Sequence, residues 1–341
     1  MATISDVARR AEVSEATVSR TLNNNDYVKS ETKQKVFKAV EELGYTPSLL
    51  AKGMRNKKTK TFGIFIPNFG NLYYTELLGF IEEEARKQGY IAIICTGQMN
   101  GERENAYIDH LLSRQVDGLI LCCYTSILEN IALTKNITKK TPIVVTDQPS
   151  AGRPVSAVYV DGYNGFKKLV SYIINLGHKK IAMIRGRHYY PCSEMRYKAY
   201  LDTLKGFGIR IREDFIIESE FTAAGGYNAA KQLLTGNEKP SAIVGANDIM
   251  AIGALKYANE HHFLIPEDVA VAGFDNIPLT SLVTPQLTTI QVPIQKIAEE
   301  AVRLLVRKIK NNRAHNREKV FEAELIVRQS TESSQKQAIM M

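Results

Sequence analysis

A chain of 341 residues with 44% hydrophobic and 23% charged content holds enough apolar material for more than one core, so two or three domains are expected. Asp6, Arg9, Arg10 and Glu12 interrupt any apolar leader near the start, and no apolar run is long enough to span a bilayer, which argues against a secreted or membrane protein and for the cytoplasm. The net charge of +8 is concentrated: residues 1–60 hold 12 Lys and Arg against 7 Asp and Glu, so most of the excess lies in less than a fifth of the chain, the footprint of a phosphate-binding surface.

The chain opens with two short amphipathic helices. Thr3 is placed to cap the first, with Asp6 near its positive start and Ile4, Val7, Ala8 and Ala11 recurring at helical spacing. Ser14 is placed to cap the second, with Thr17 at its third position. Val18 and Leu22 then face back onto the first helix, which leaves Glu15, Ala16, Thr17, Ser19 and Arg20 outward. Short polar side chains around one Arg, at the start of a braced helix, suit the DNA major groove, where Arg bonds guanine in bidentate fashion. The competing reading is a helical hairpin with a solvated polar face. A third helix is predicted from Glu31 to Leu43, capped by Ser30, with Val36, Phe37, Val40 and Leu43 closing the small core and Gly44 ending it. Tyr27, in the polar loop before it, either packs there or meets a phosphate.

Pro47 and Ser48 begin a possible helix that is too short to persist alone in water. Lys57 to Lys60 reads as a linker. From Thr61 onward, apolar strands alternate with amphipathic helices: strands at 62–67, 90–95, 118–123, 142–146 and 157–160, then a second series at 180–185, 215–217, 242–245 and 269–273. That alternation implies parallel sheets covered on both faces. Cys95, Cys122, Cys123 and Cys192 lack metal-ligand spacing and read as reduced thiols; Cys122 and Cys123 are expected in a strand, on opposite faces. No catalytic or metal-binding constellation is visible, so neither an enzyme nor a metal site is expected, and His178 reads as loop closure.

Residues 4–14, Ile-Ser-Asp-Val-Ala-Arg-Arg-Ala-Glu-Val-Ser, with Ala16-Thr-Val-Ser-Arg20, Asn23 and Leu43-Gly-Tyr-Thr-Pro47, resemble the headpiece of the LacI/GalR family of bacterial transcription regulators. The resemblance continues to about residue 330. It implies an α/β architecture: an all-α helix-turn-helix headpiece at 1–46, a hinge helix and linker at 47–60, and a periplasmic-binding-protein-like core at 61–330 of two doubly wound halves. The first half takes 61–160 plus 293–322 and the second 161–292 plus 323–330, with a tail at 331–341 that lacks leucine heptads for a tetramer.

The same resemblance implies a repressor that binds a pseudo-palindromic operator as a homodimer, gated by a small-molecule effector rather than a cofactor. Ile4, Ser5 and Ser14 would anchor phosphates, Glu15, Ala16, Thr17, Ser19 and Arg20 would face the bases, and Met54, followed by Arg55, would pry open a base step from the minor groove. Gly53 lowers helix propensity there. In such folds ligands sit at the carboxyl ends of the strands. The candidates are Asn68, Phe69, Tyr73, Tyr74, Asp147, Cys192, Arg196, Phe221, Asn247 and Asp275, with Asp248 as a helix cap. Tyr190 stands where purine-binding relatives carry a second Arg, and Cys192 replaces a hydroxyl, which favours a sugar or sugar phosphate. The alternatives are a sugar-binding transport receptor, a regulator using a protein co-repressor, and an enzyme on a doubly wound fold.

Overall fold

The computed structural model describes residues 2–22, 27–45, 58–97, 101–123, 128, 131–148, 154–188, 190–311 and 314–332. It separates into one compact unit, Met1–Thr59, and another, Lys60–Met341.

The first unit contains α1 (Ile4–Arg10), α2 (Glu15–Leu22) and α3 (Ser30–Glu42). Thr3 Oγ1 accepts the Asp6 N–H while the Asp6 carboxylate accepts the Thr3 N–H, a closed capping box. Ser14 Oγ accepts the Thr17 N–H at 3.2 Å and starts α2. The three apolar stripes meet at Val7, Val18 and Val36, all fully buried, with Ala8, Ala11 and Ala39 beside them. Three local expectations are corrected. Phe37 is 48% exposed, because the buried stripe of α3 runs through Val36, Ala39, Val40 and Leu43 and Phe37 lies off it. Ser30 is the first helical residue rather than the cap, and Lys29 occupies the cap without a side-chain bond. Tyr27 is 96% exposed and does not pack on this core. Gly44 follows α3 with φ +56°, the left-handed turn that ends many helices. Residues 46–57, which include most of the 47–60 hinge and with it Met54 and Arg55, lie outside the described residues.

In the second unit, β1 (Thr61–Ile66), β2 (Ile91–Thr96), β3 (Gly118–Leu121), β4 (Ile143–Val145), β5 (Ser156–Val160) and β11 (Glu318–Phe321) form one parallel sheet in the order β11-β5-β4-β3-β1-β2. Its helices are α4 (Leu72–Lys87), α5 (Gly101–Ser113), α6 (Ile131–Thr138) and α11 (Ile294–Lys310). β1, β3 and β4 are buried on both faces, hence their unbroken apolar runs. β2 departs from the covered-sheet expectation: as an edge strand it leaves Ile91, Ile93 and Ile94 exposed.

A second parallel sheet, β7-β6-β8-β9, is built from β6 (Ile181–Arg185), β7 (Ile216–Glu218), β8 (Ala242–Gly245) and β9 (Ala270–Ala272). It carries α7 (Gly162–Asn175), α8 (Pro191–Gly206), α9 (Ala223–Thr235) and α10 (Asp248–Glu260). The chain returns to the first sheet through α11, whose Ile297, Ala298, Ala301, Val302, Leu304 and Leu305 are buried. It leaves again after β11, and β12 (Glu324–Ile326) pairs antiparallel with β10 (Thr289–Gln291). Three strands of chain therefore cross between the two sheets, and their carboxyl ends face a common cleft. Cys122 and Cys123 lie just past β3, not within it, and enter different core clusters.

Candidate functional site

On the first unit, Glu15, Ala16 and Arg20 are exposed on α2, while Thr17 and Ser19, like Ile4 and Ser5, are half-buried. Arg9 and Arg10 are paired with Asp6 and Glu42; Arg20 has no ion-pair partner among the described residues. The Glu15 carboxylate accepts the Ser5 hydroxyl, so two residues read as separate contacts form one joint between α1 and α2.

On the second unit, a cavity of about 850 Å³, its open mouth included, lies at the carboxyl ends of the two sheets. Tyr73 and Tyr74 open α4 from one side with their rings edge to face at 5.1 Å, and Tyr190 meets Phe221 at 5.9 Å on the other. Phe221 rests on bare backbone: a Cβ at Gly186 would come within 2.1 Å of its ring, so a side chain there would displace this wall. Burial pushes the phenols of Tyr73 and Tyr74 well above their ordinary range and the Cys192 thiol up to about 12, so all three stay neutral.

The polar floor is made by Arg196, Asn247 and Asp275. Arg196, a turn into α8, donates through Nη1 to the Ala246 carbonyl at 2.6 Å. Its Nη2 stands 3.6 Å from Asp275 Oδ1, and its guanidinium lies 3.9 Å from the centroid of Phe274. Arg196 Nε is buried without a partner among the described residues. Asn247, not Asp248, caps α10: its Oδ1 accepts the Met250 N–H at 3.0 Å, which leaves Nδ2 buried without a partner among the described residues. The Asp248 side chain turns instead toward Thr289 and Ile277. Burial pushes the Asp275 carboxyl upward; Arg196 pulls it back, and Asp248 adds to the rise. Asp147 lines the opposite wall and accepts the Gln148 N–H at 2.8 Å.

Phe69 is the one effector candidate that does not line the cavity. It is 55% exposed, because the turn in which Asn68 Oδ1 accepts the Asn71 N–H directs it to solvent. Asn71, Met195, Gln148 and Tyr159 line the cavity and were not anticipated. Two had a legible signal: Asn71 directly precedes the periodic stripe of α4 and caps it, and Met195 shares a helical face with Cys192. Among the described residues, no group of three or more His, Cys, Asp or Glu is placed to hold a metal ion, and no helix is long and apolar enough to cross a membrane.

Residues 3–48 match the family model for bacterial regulatory proteins, lacI family, and residues 170–331 match a periplasmic binding protein-like domain. The chain is 31% identical over 334 residues to the HTH-type transcriptional repressor PurR of Pasteurella multocida, covering 98% of this chain and 99% of that one. The chain belongs to the lacI family. Within solved structures of that kind, this LacI-family chain is similar to a lac repressor dimer bound to operator and the anti-inducer ONPF, at TM-score 0.86 and 25% identity, covering 97% of this chain and 99% of that one. It is also similar to the transcriptional regulator CelR in complex with cellobiose, at TM-score 0.73 and 26% identity, covering 97% and 100%. As a LacI-family protein it is a DNA-binding transcriptional repressor regulated by a small-molecule effector.

Proposed function

We propose that this repressor is gated by an uncharged sugar held in the cleft, rather than by a sugar phosphate. One observation carries the reading: Arg196 Nε and Asn247 Nδ2 are buried donors without acceptors among the described residues, in a cavity that Asp275 and Asp147 also line. A ring of hydroxyls accepts from the first pair and donates to the second, while Tyr73, Tyr74 and Phe221 cover its C–H faces and Cys192 offers a neutral contact. Among the described lining residues Arg196 is the sole cation against two carboxylates, and Asp275 already stands 3.6 Å from it. A phosphate dianion would find no second cation among the described lining residues, and an unpaired buried charge is costly. Its role is regulatory rather than catalytic, and it acts in the cytoplasm, as the repressors it is similar to suggest.

On DNA, Arg20 reads a guanine, Ala16 meets a thymine methyl, and Glu15, held by Ser5, excludes mismatched bases. Thr17 and Ser19 complete the reading face, and the starts of α1 and α2, at Ile4, Ser5 and Ser14, anchor phosphates. Residues 1–46 act as the headpiece and 47–60 as the hinge. Two copies grip a pseudo-palindromic operator, with Met54 and Arg55 of each at its centre. Effector binding favours one orientation of the core halves, and that choice orders or releases the paired hinges.

The test combines operator selection from a randomised duplex pool with melting of the full chain against neutral mono- and disaccharides and their phosphates. A neutral sugar at about 100 times its Kd is expected to stabilise the core by roughly 2.7 kcal/mol and to change operator affinity. A shift from phosphorylated sugars alone would overturn the charge argument, and an operator affinity indifferent to every sugar would overturn the gating.

A further inference from the structure

The cleft carboxylate stands on backbone that needs holding. Asp275 and Asn276 take φ of +119° and +57°, a left-handed pair unfavourable for residues with a Cβ. Around them is a buried polar bracket. Asp248, fully buried at the first position of α10, receives the Ile277 N–H at Oδ2 (2.9 Å) and the Thr289 hydroxyl at Oδ1 (2.5 Å). The Thr289 oxygen in turn accepts the Asn276 N–H at 3.3 Å. Arg328, just past β12, donates to Asn276 Oδ1 at 2.8 Å, to Thr280 Oγ1 at 3.2 Å and to the Leu287 carbonyl at 2.7 Å. The turn's own backbone is stitched to the segment that crosses to the first sheet: Asp275 N–H donates to the Ile290 carbonyl at 2.9 Å, and Val292 N–H donates to the Asp275 carbonyl at 3.3 Å. Pro293 and α11 follow at once.

Capping does not explain Asp248, since Asn247 caps α10. A carboxylate is costly to bury, and the two oxygens of this one take two donors that belong to the turn and the crossover. The charged groups around it are Asp275 on the turn, Arg328 on the last segment and, beyond Asp275, Arg196 on α8.

We propose that Asp248 is a positioning residue for the effector cleft: its carboxylate, with Thr289 and Arg328, locks the Asp275–Asn276 turn onto the crossover at 288–292, so that the cleft carboxylate and the crossover shift together. The role rests on the reading of Asp275 as an effector ligand. An effector hydroxyl that pulls on Asp275 thereby pulls on the strand entering α11, and the bracket links occupancy of the cleft to the orientation of the halves.

The experiment uses the full chain with Asp248→Asn, and with Thr289→Val as a second variant that keeps shape and removes one hydroxyl. Amide exchange is followed by mass spectrometry, and affinity is measured for the neutral saccharide that raises the wild-type Tm most. In Asp248→Asn, whose amide cannot accept at both positions, exchange should rise about tenfold in peptides spanning 274–277 and 288–292 while α8 and α9 keep their protection. Saccharide affinity should fall about tenfold, and Thr289→Val should change the same two segments less. Exchange unchanged there, or raised evenly across the second half, would overturn the bracket. A wild-type Tm that no saccharide moves would sink the effector reading instead, and the exchange pattern would still decide the bracket.

Discussion

Replacing the guanidinium at the cleft floor tests whether charge pairing holds this site together. Arg196→Met keeps chain length and packing against Phe274, and removes the cation that stands 3.6 Å from Asp275. Breaking a buried pair on one side costs about 3–5 kcal/mol, because the remaining charge is left uncompensated. Burial already pushes the Asp275 carboxyl upward, so protonation relieves part of that cost as pH falls. The full loss is therefore expected in mildly alkaline buffer, and a smaller one in mildly acid buffer. For a unit of this size each kcal/mol moves Tm by ~2–4 °C, so a loss near the lower bound lowers the alkaline Tm by ~6–12 °C. Adding Asp275→Asn removes both charges and should restore at least half of the loss, a coupling measurable as a double-mutant cycle by calorimetry at two pH values. An equal Tm loss at both pH values, with no recovery in the double variant, would show that Arg196 acts only through its contacts with Ala246 and Phe274.

Arg20→Ala should abolish preference for the selected operator while leaving salt-dependent nonspecific binding; equal loss on every duplex in anisotropy titrations would remove Arg20 from base reading. Val18 is fully buried among the few apolar residues of the headpiece, so Val18→Ala should destabilise that unit by about 2 kcal/mol and leave the core's calorimetric transition in place. Burial lifts the Asp248 carboxyl from an ordinary value of 3.8 to about 6, ahead of the opposing bonds from Thr289 and Ile277. Its contribution to stability is therefore full below the unfolded value and is lost as pH climbs through the folded one. The Tm of Asp248→Asn relative to wild type should accordingly rise across that window, and a constant difference would contradict the raised carboxyl.

What was legible in the sequence, and what was not, divides along physical lines. The Thr3–Asp6 box, the Ser14 cap and the Val7, Val18 and Val36 stripes are interactions within or between neighbouring turns, so residue type and spacing suffice to find them. The convergence of Tyr73, Arg196, Asn247 and Asp275 was readable because the alternation of strands and helices dictates where strand ends go. Which atom each residue spends was not. Asn247 and Asp248 are adjacent, both are good caps, and only the tertiary neighbours Thr289 and Ile277 decide that the carboxylate turns away and the amide remains. Phe69 points away from the cavity for the same reason, since the four-residue turn at 68–71, closed by Asn68, outweighs aromatic character.

Charge shows the same separation at larger scale. Most of the basic excess of the chain sits in residues 1–60, whereas the described wall of the cleft sets one cation against two carboxyl groups. The first surface is thus suited to a polyanion, and the second, on the neutral-sugar proposal, is not. On that proposal, phosphorylated metabolites drawn to the headpiece would not compete with the effector for the cleft.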